Sequence, residues 1–250
     1  MSEHIIVERR GAVQIIRMNR ADKKNAITSA MYAAMTKALV DADADDEVRV
    51  HLIFGVPGIF SSGNDVTDCM SVAMGNDGPL NAFSFLIALA RLEKPLVSGV
   101  DGIAVGIGTT INLHCDLTFA TARTEFRTPF VDLGLVPEAG SSLIAPAVLG
   151  RQGAFALLAL GEPLPAERAK AAGLIYEIVA EDELEAAAMA AAERIAQKPP
   201  QAMKIARHLM LGDRELLVTR IREEGEHFRE RLKSSEARNA FAAFMNRKRG

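Results

Sequence analysis

The sequence predicts an α/β fold, on three observations. Short β-branched runs alternate with segments of helical period as far as about residue 180, everything after that is helix-forming, and the composition is that of a packed globular protein. Of 250 residues, 49% are apolar and 24% charged, enough to bury one core of ordinary size with an appendage.

The elements follow in order along the chain. IIVERRGAVQIIRMN (5–19) reads as a hairpin about Gly11, since β-branched residues recur on both sides of a breaker. Thr28 is a good N-cap, and Met31, Met35, Ala38 and Leu39 fall at helical spacing to about Ala44, where the DADADDE run reads as a solvated turn. VRVHLIFG (48–55) and PLVSGVDG (95–102) read as short apolar strands, with a helix, LNAFSFLIALARLE (80–93), between them. GIGTTINLHC (106–115) reads as a helix opened by glycines, DLTFAT (116–121) as a strand, PAERAKAAG as a helix and LIYEIVA (174–180) as the last strand. Then EAAAMAAAERIA, QAMKIARHLMLG and ELLVTRIREEGEHF are helical, punctuated by Pro199 and Pro200.

Several function classes are disfavoured. A formal charge of −3, from 29 basic and 32 acidic residues, gives no positive field to hold nucleic acid. Cys69 and Cys115 lack CxxC or His-bracketed spacing, so they are expected to be reduced and no metal site is expected. The start, MSEHIIVERRG, has no basic n-region with a long apolar run, and no window of ~18 apolar residues is apparent. A soluble, cytoplasmic protein without a membrane partner is the expectation. NRKRG at the C-terminus matches neither a prenylation nor a peroxisomal signal. GIGTTI has Ile111 where a dinucleotide fingerprint needs its third glycine, and neither GxSxG nor a phosphate loop occurs, so no cofactor is expected. His4, His51, His114, His208 and His227 are scattered and read as structural.

Three segments remain: FSSGND (60–65), GIAVGIG (102–108) and LVPEAG (135–140). Gly63 lets the chain turn and aim the Asn64 amide into a cleft. Gly106 and Gly108 bracket Ile107 at a helix start, where amides lack intrahelical acceptors. Two such amides, converging, make an oxyanion hole. Glu138 has two readings: an acid beside the start of the SSLIAPAVLG helix stabilises it by ~0.3–1 kcal/mol, or it is a catalytic acid.

NRADKKNAIT, FSSGND, DGIAVGIGTTINLHCDLTFAT, FRTPFVDLGLVPEAGSS and AKAAGLIYEIV together resemble the crotonase (enoyl-CoA hydratase/isomerase) superfamily over almost the whole chain. The resemblance implies a spiral of ββα units over residues 1–195, a helical region over 196–250 that builds a homotrimer or a dimer of trimers, and coenzyme A thioesters as substrates. It places the oxyanion amides at Asn64 and Ile107. Hydratases of the family use two glutamates, and their places here hold Thr110 and Phe130, whose hydroxyl and phenyl groups are not bases near neutral pH. SGNDVTD followed by TPFVDLGLVPEAGSS is instead similar to the Δ3,Δ2-enoyl-CoA isomerases of the peroxisomal type, whose base falls at Glu138.

The resemblance also implies contacts to CoA around Lys24, Asn25, Ala26 and Ser61–Gly63, Ser62 and Asp65 included, with coenzyme A present only as part of the substrate. Arg20, Lys23, Lys24 and Lys248 are the basic side chains expected near its phosphates. Met70, Phe83, Leu86, Phe130 and Leu135 are the candidate walls of the acyl pocket, with plain core as the other reading of the helix-spaced Phe83, Leu86, Ile87 and Ala90; Gly106 is expected at the substrate site, Arg127 to narrow the cleft, and Ala139 stands where Gly is common. The alternatives are another crotonase-type acyl-CoA reaction (hydratase, hydrolase or decarboxylase) and a silent acyl-CoA-binding module.

Overall fold

The computed structural model describes residues 2–68 and 81–247. Strands β1 (Ile5–Arg10) and β2 (Val13–Met18) form the antiparallel hairpin, and Thr28 caps α1 (Ser29–Asp43) by accepting from the Met31 amide at 3.3 Å. A strand–strand–helix unit then recurs three times. It comprises β3 (Val50–Phe54) and β4 (Ile59–Ser61) with α2 (Asn81–Arg91), then β5 (Leu96–Val100) and β6 (Ile103–Val105) with α3 (Ile107–Thr110), then β7 (Leu117–Thr121) and β8 (Glu125–Arg127) with α4 (Ser141–Leu158). The first strand of each unit joins a six-stranded sheet of order β1-β2-β3-β5-β7-β10. The second joins a four-stranded sheet of order β4-β6-β8-β9. Here β9 is Leu164–Pro165 and β10 is Glu177–Val179, with α5 (Ala166–Ala171) between them. Strands β3, β5 and β7 pair in parallel, as do β4, β6 and β8, so the ββα units wind as a spiral.

Both faces of the large sheet are covered, which is why VHLIF and LVSGV read as continuous rather than alternating apolar runs. One face, with Val50, Leu52, Phe54 and Val97, meets Leu184, Ala188, Ala191 and Ala192 of α6 (Leu184–Ala196). The alanine bias of that helix lets it lie close on the sheet. The other face joins a larger core that also takes in Val218 and Ile221 of α8 (Arg214–Leu232) and Ala237 of α9 (Ser235–Arg247).

Several elements differ from the sequence reading. The DADADDE run is not wholly solvated: Asp43 accepts from the Glu93 and Lys94 amides at 3.0 and 2.9 Å and lies 3.7 Å from His51 Nε2. The GIGTTINLHC helix is α-helical only over Ile107–Thr110 and tightens to a 3-10 turn over Ile111–His114. There Thr109 and Asn112 spend their side chains on the Ala104 and Gly108 carbonyls, bonds that compete with helix geometry. Helix α4 is long and apolar enough to cross a membrane by length and composition, contrary to the expectation of no such window. In this fold, Gly150 (φ 69°, ψ 163°) breaks it, and Ala145, Ala154, Leu157 and Leu158 are buried.

Helix α7 (Pro200–Leu211) buries one residue, Arg207, 3% exposed, whose Nε reaches both Asp116 carboxylate oxygens at 2.8 and 2.9 Å while Nη1 binds the Leu92 carbonyl. Arg207 is buried while Asp116 stays accessible to water, so its removal costs the charge-assisted hydrogen bonds and the packed side chain rather than stranding a buried charge. Arg207→Ala is expected to lower unfolding free energy by ~1–3 kcal/mol, read from the urea midpoint at unchanged slope.

Candidate active site

Because β4, β6 and β8 pair side by side in parallel, the segments leaving their carboxyl ends are neighbours. Those segments are Ser62–Asp65, Gly106–Gly108 and Thr128–Gly140. A crevice outside the carboxyl ends of parallel strands is where open α/β sheets bind ligands.

The two glycine turns touch. Gly63 has φ 95° and Gly106 has φ 57° and ψ −120°, and a Cβ on Gly106 would lie 3.9 Å from Gly63 Cα. A Cβ on Gly108 would stand 2.8 Å from the Ser61 carbonyl oxygen, so only glycine permits this approach. A parallel bridge joins Ile27 to Asn64 through the Ile27 N–H to the Gly63 carbonyl (2.8 Å) and the Asp65 N–H to the Ile27 carbonyl (3.0 Å). That pattern turns the Asn64 N–H away from Ile27. Tyr32 donates to Asn64 Oδ1 and fixes the side chain. Ile107 is the first residue of α3, and the Thr109 and Thr110 amides already close on the Gly106 carbonyl. Among the described residues neither the Asn64 nor the Ile107 N–H has an acceptor.

Glu138 is 8% exposed, and its Oε1 accepts from Thr110 Oγ1 at 2.6 Å, three residues after Ile107. Burial pushes its pKa up to about 8, the Thr110 bond opposing and the Glu224 charge adding to the rise. It does not cap the helix that follows. Helix α4 begins at Ser141, and its leading amides, those of Gly140 and Ser142, donate to the Glu224 carboxylate of α8 at 2.6 and 2.9 Å. Those two amides, which the helix-stabilising reading would offer to Glu138, are bound by Glu224 instead.

The residue after it is strained. Ala139 adopts φ 64°, left-handed and ~1–2 kcal/mol unfavourable for a residue with a Cβ. His114 Nε2 donates to its carbonyl at 2.7 Å, and burial pushes His114 down to about 4, so the ring is neutral. The C-terminal helices close on the same segment: a Cβ on Gly134 would stand 2.7 Å from the Ala237 amide, and one on Gly140 would stand 2.3 Å from Leu217 Cδ1. Sequence reasoning missed Glu224, 84 residues from Gly140 in the chain. The signal was there: Glu224 follows Val218 and Ile221 on the buried stripe of a helix.

The other expected site residues divide. Lys24, Asn25 and Ala26 lie against the chain entering the Gly63 turn, with the Lys24 carbonyl bound by the Ser62 amide (2.9 Å) and the Asn25 carbonyl by Ser61 Oγ (2.8 Å). Asn25 is fully buried and its amide group binds the Ile59 and Phe60 carbonyls, so its side chain serves the fold. Arg20, expected near phosphate, instead holds Asp65 at 2.6 Å and the Ala26 carbonyl at 2.9 Å. Burial favours a higher pKa for Asp65, but Arg20 and the Thr67 amide outweigh it and hold the carboxyl below its usual range. Asp65 is an ion-pair partner as placed. Phe130, Leu135 and Leu86 belong to the main core, and Phe83 packs against it. Arg127 is exposed, with Nε turned to the Gly161 carbonyl at 3.4 Å. Cys115 donates to the Ile111 carbonyl, and burial pushes its thiol up to about 12. Met70, Lys248 and Cys69 lie outside the described residues.

A family model described as enoyl-CoA hydratase/isomerase matches residues 8–249. The chain belongs to that family. It is 36% identical to Enoyl-CoA delta isomerase 2 of Rattus norvegicus over 253 residues, 99% of this chain but 64% of the relative, so it spans less than two thirds of that protein. It is 29% identical to a probable enoyl-CoA hydratase of Mycobacterium leprae, covering 98% of this chain and 95% of that protein. The crystal structure of an enoyl-CoA hydratase/isomerase from Pseudoalteromonas atlantica superposes with a TM-score of 0.93 at 34% identity over 98% of each chain. The fold is that of the crotonases.

The raised pKa of Glu138 has a consequence for stability. Between about pH 4.5 and 8 the folded protein keeps a proton that the unfolded chain releases, so this group's contribution is least unfavourable below 4.5 and worsens as pH rises to about 8. Glu138→Gln removes the burden. Its melting temperature is expected to exceed the wild type's by several degrees at pH 9 and to match it near pH 4, by calorimetry.

Proposed function

We propose that this protein is a Δ3,Δ2-enoyl-CoA isomerase with Glu138 as its acid/base. The observation that carries the reading is that Glu138 is a buried carboxylate held, among the described residues, only by a hydroxyl, whereas the neighbouring acid, Glu224, is bound by two backbone amides. One base is therefore available on the helix turn that Ile107 opens, and the family resemblance puts Thr110 and Phe130 where a hydratase keeps its acids.

The chemistry needs one base. The Glu138 carboxylate takes a proton from C2 of the 3-enoyl thioester, and the electron pair moves through the C2–C1 bond onto the thioester oxygen. The Asn64 and Ile107 N–H groups receive that oxyanion, each donor typically worth about 3 kcal/mol of barrier. The same carboxyl then delivers its proton to C4: the oxyanion re-forms the C1 carbonyl, the C1–C2 π pair becomes the C2–C3 double bond and the C3–C4 π pair takes the proton, which returns Glu138 to its carboxylate. A carboxylate with its proton affinity raised by burial is a stronger base toward a C–H bond.

The name of the Mycobacterium leprae relative favours hydration as the second reading. Two assays separate them. Glu138→Gln is expected to lose ~100- to 10,000-fold in kcat for 3-enoyl-CoA with binding retained, and wild-type kcat/KM is expected to rise with pH and level off above about 8. Equal rates in the two proteins would defeat the isomerase assignment. Incubation with 2-enoyl-CoA is expected to leave the absorbance of the conjugated thioester unchanged, whereas its loss would mark a hydratase.

Assembly as a trimer belongs to the same proposal. Ile205, Leu209 and Met210 along α7 are 58%, 75% and 77% exposed, an apolar surface fit for a second copy. Sedimentation equilibrium is expected to give three times the mass of 26.9 kDa, and a monomer would refute this.

A further inference from the structure

We propose that Glu224 is a positioning residue for the base: from helix α8 it occupies the amino end of α4, and so keeps Glu138 on Thr110 and out of reach of that helix's positive pole. The inference rests on Glu138 being the acid/base.

Helix α4 has exposed donors at its start, as every helix does, and something must satisfy them. Glu138 stands two and four residues before Gly140 and Ser142 in the chain, close enough for its carboxylate to compete for those amides. Two arrangements therefore compete for it. In one it bonds to Thr110, three residues after Ile107; in the other it turns to the start of its own helix. Glu224 settles the competition by binding the Gly140 and Ser142 amides itself, at 2.6 and 2.9 Å, from a different element. Leu217, about two turns earlier on α8, packs so closely on Gly140 that a Cβ there would lie 2.3 Å away, which holds the two helices in register.

The second effect is electrostatic. A helix amino end lowers the pKa of a nearby carboxyl, opposing the rise that burial causes. The Glu224 charge on that end cancels the positive pole, and burial then dominates at Glu138. The polar and charged groups around the pair are few. Thr110 and the neutral His114 approach from the 107–114 segment, while Arg220, 3.2 Å from Ser142 Oγ and 3.1 Å from Glu223, comes from α8 itself. Arg220 also works against the rise in the pKa of Glu224, which burial causes.

The test follows the Glu138 carboxyl by carbon NMR in the free protein, with no substrate, for the wild type, Glu224→Gln and Glu224→Asp. The Glu138 signal, assigned by its loss in Glu138→Gln, is expected to titrate near pH 8 in the wild type. It should fall by about one unit in Glu224→Gln and stay near the wild-type position in Glu224→Asp, which keeps the charge. The rising limb of kcat/KM against pH should move with it. Superimposable titrations in the wild type and Glu224→Gln overturn the proposal, even if turnover has dropped, because a merely structural role lowers rate without moving the curve. Should Glu224→Gln not fold, the wild-type spectrum decides: coupling to Glu224 gives the Glu138 signal a second inflection, and a single one overturns the proposal. The titration needs no turnover, so it stands or falls separately from the isomerase assignment.

Discussion

Strands β4, β6 and β8 are three residues each, yet their parallel hydrogen bonding lines up the Gly63 turn, the Gly106 turn and the Glu138 segment at one edge of the molecule. Shift any one register and the amides of Asn64 and Ile107 separate, or Thr110 leaves Glu138. Such short strands cannot hold themselves. Each is the second half of a unit whose first strand lies in the large sheet, so the buried runs of β3, β5 and β7 fix the small sheet by connection.

Burying an ionisable acid works against stability, since each unit of pKa shift corresponds to about 1.4 kcal/mol between its two charge states. The molecule carries this at Glu138, along with a left-handed Ala139, and surrounds both with contacts that leave little room to relax. Strain that persists because its surroundings over-determine it is characteristic of working sites. His114 serves here without chemistry of its own: a neutral ring donating to the Ala139 carbonyl holds the backbone that presents the acid.

The C-terminal helices belong to this arrangement. Leu217 and Glu224 of α8 meet Gly140, and Ala237 of α9 meets Gly134, so both ends of the Glu138 segment lean on residues from the last quarter of the chain. Arg207 of α7 ties the same region to the large sheet through Asp116. The helical region and the sheets therefore share one core, and the geometry of the acid depends on how they pack.

Local signals in the chain were enough to determine the hairpin about Gly11, the Thr28-capped helix and the buried runs of β3, β5 and β7, because period, capping and glycine spacing are properties of neighbouring residues, while the family was legible as a resemblance of whole blocks. The same signals named Asn64, Ile107 and Glu138 as candidates. Tertiary structure alone decided the partners of Glu138, since the Gly140 and Ser142 amides are taken by Glu224 from far along the chain while its own carboxylate meets Thr110. It also decided that Arg20 pairs with Asp65 and that Arg127 turns its Nε to the Gly161 carbonyl. Three-residue strands carry too few positions for a period to show, and the partner of a buried charge is fixed by packing between distant elements, which no local pattern records.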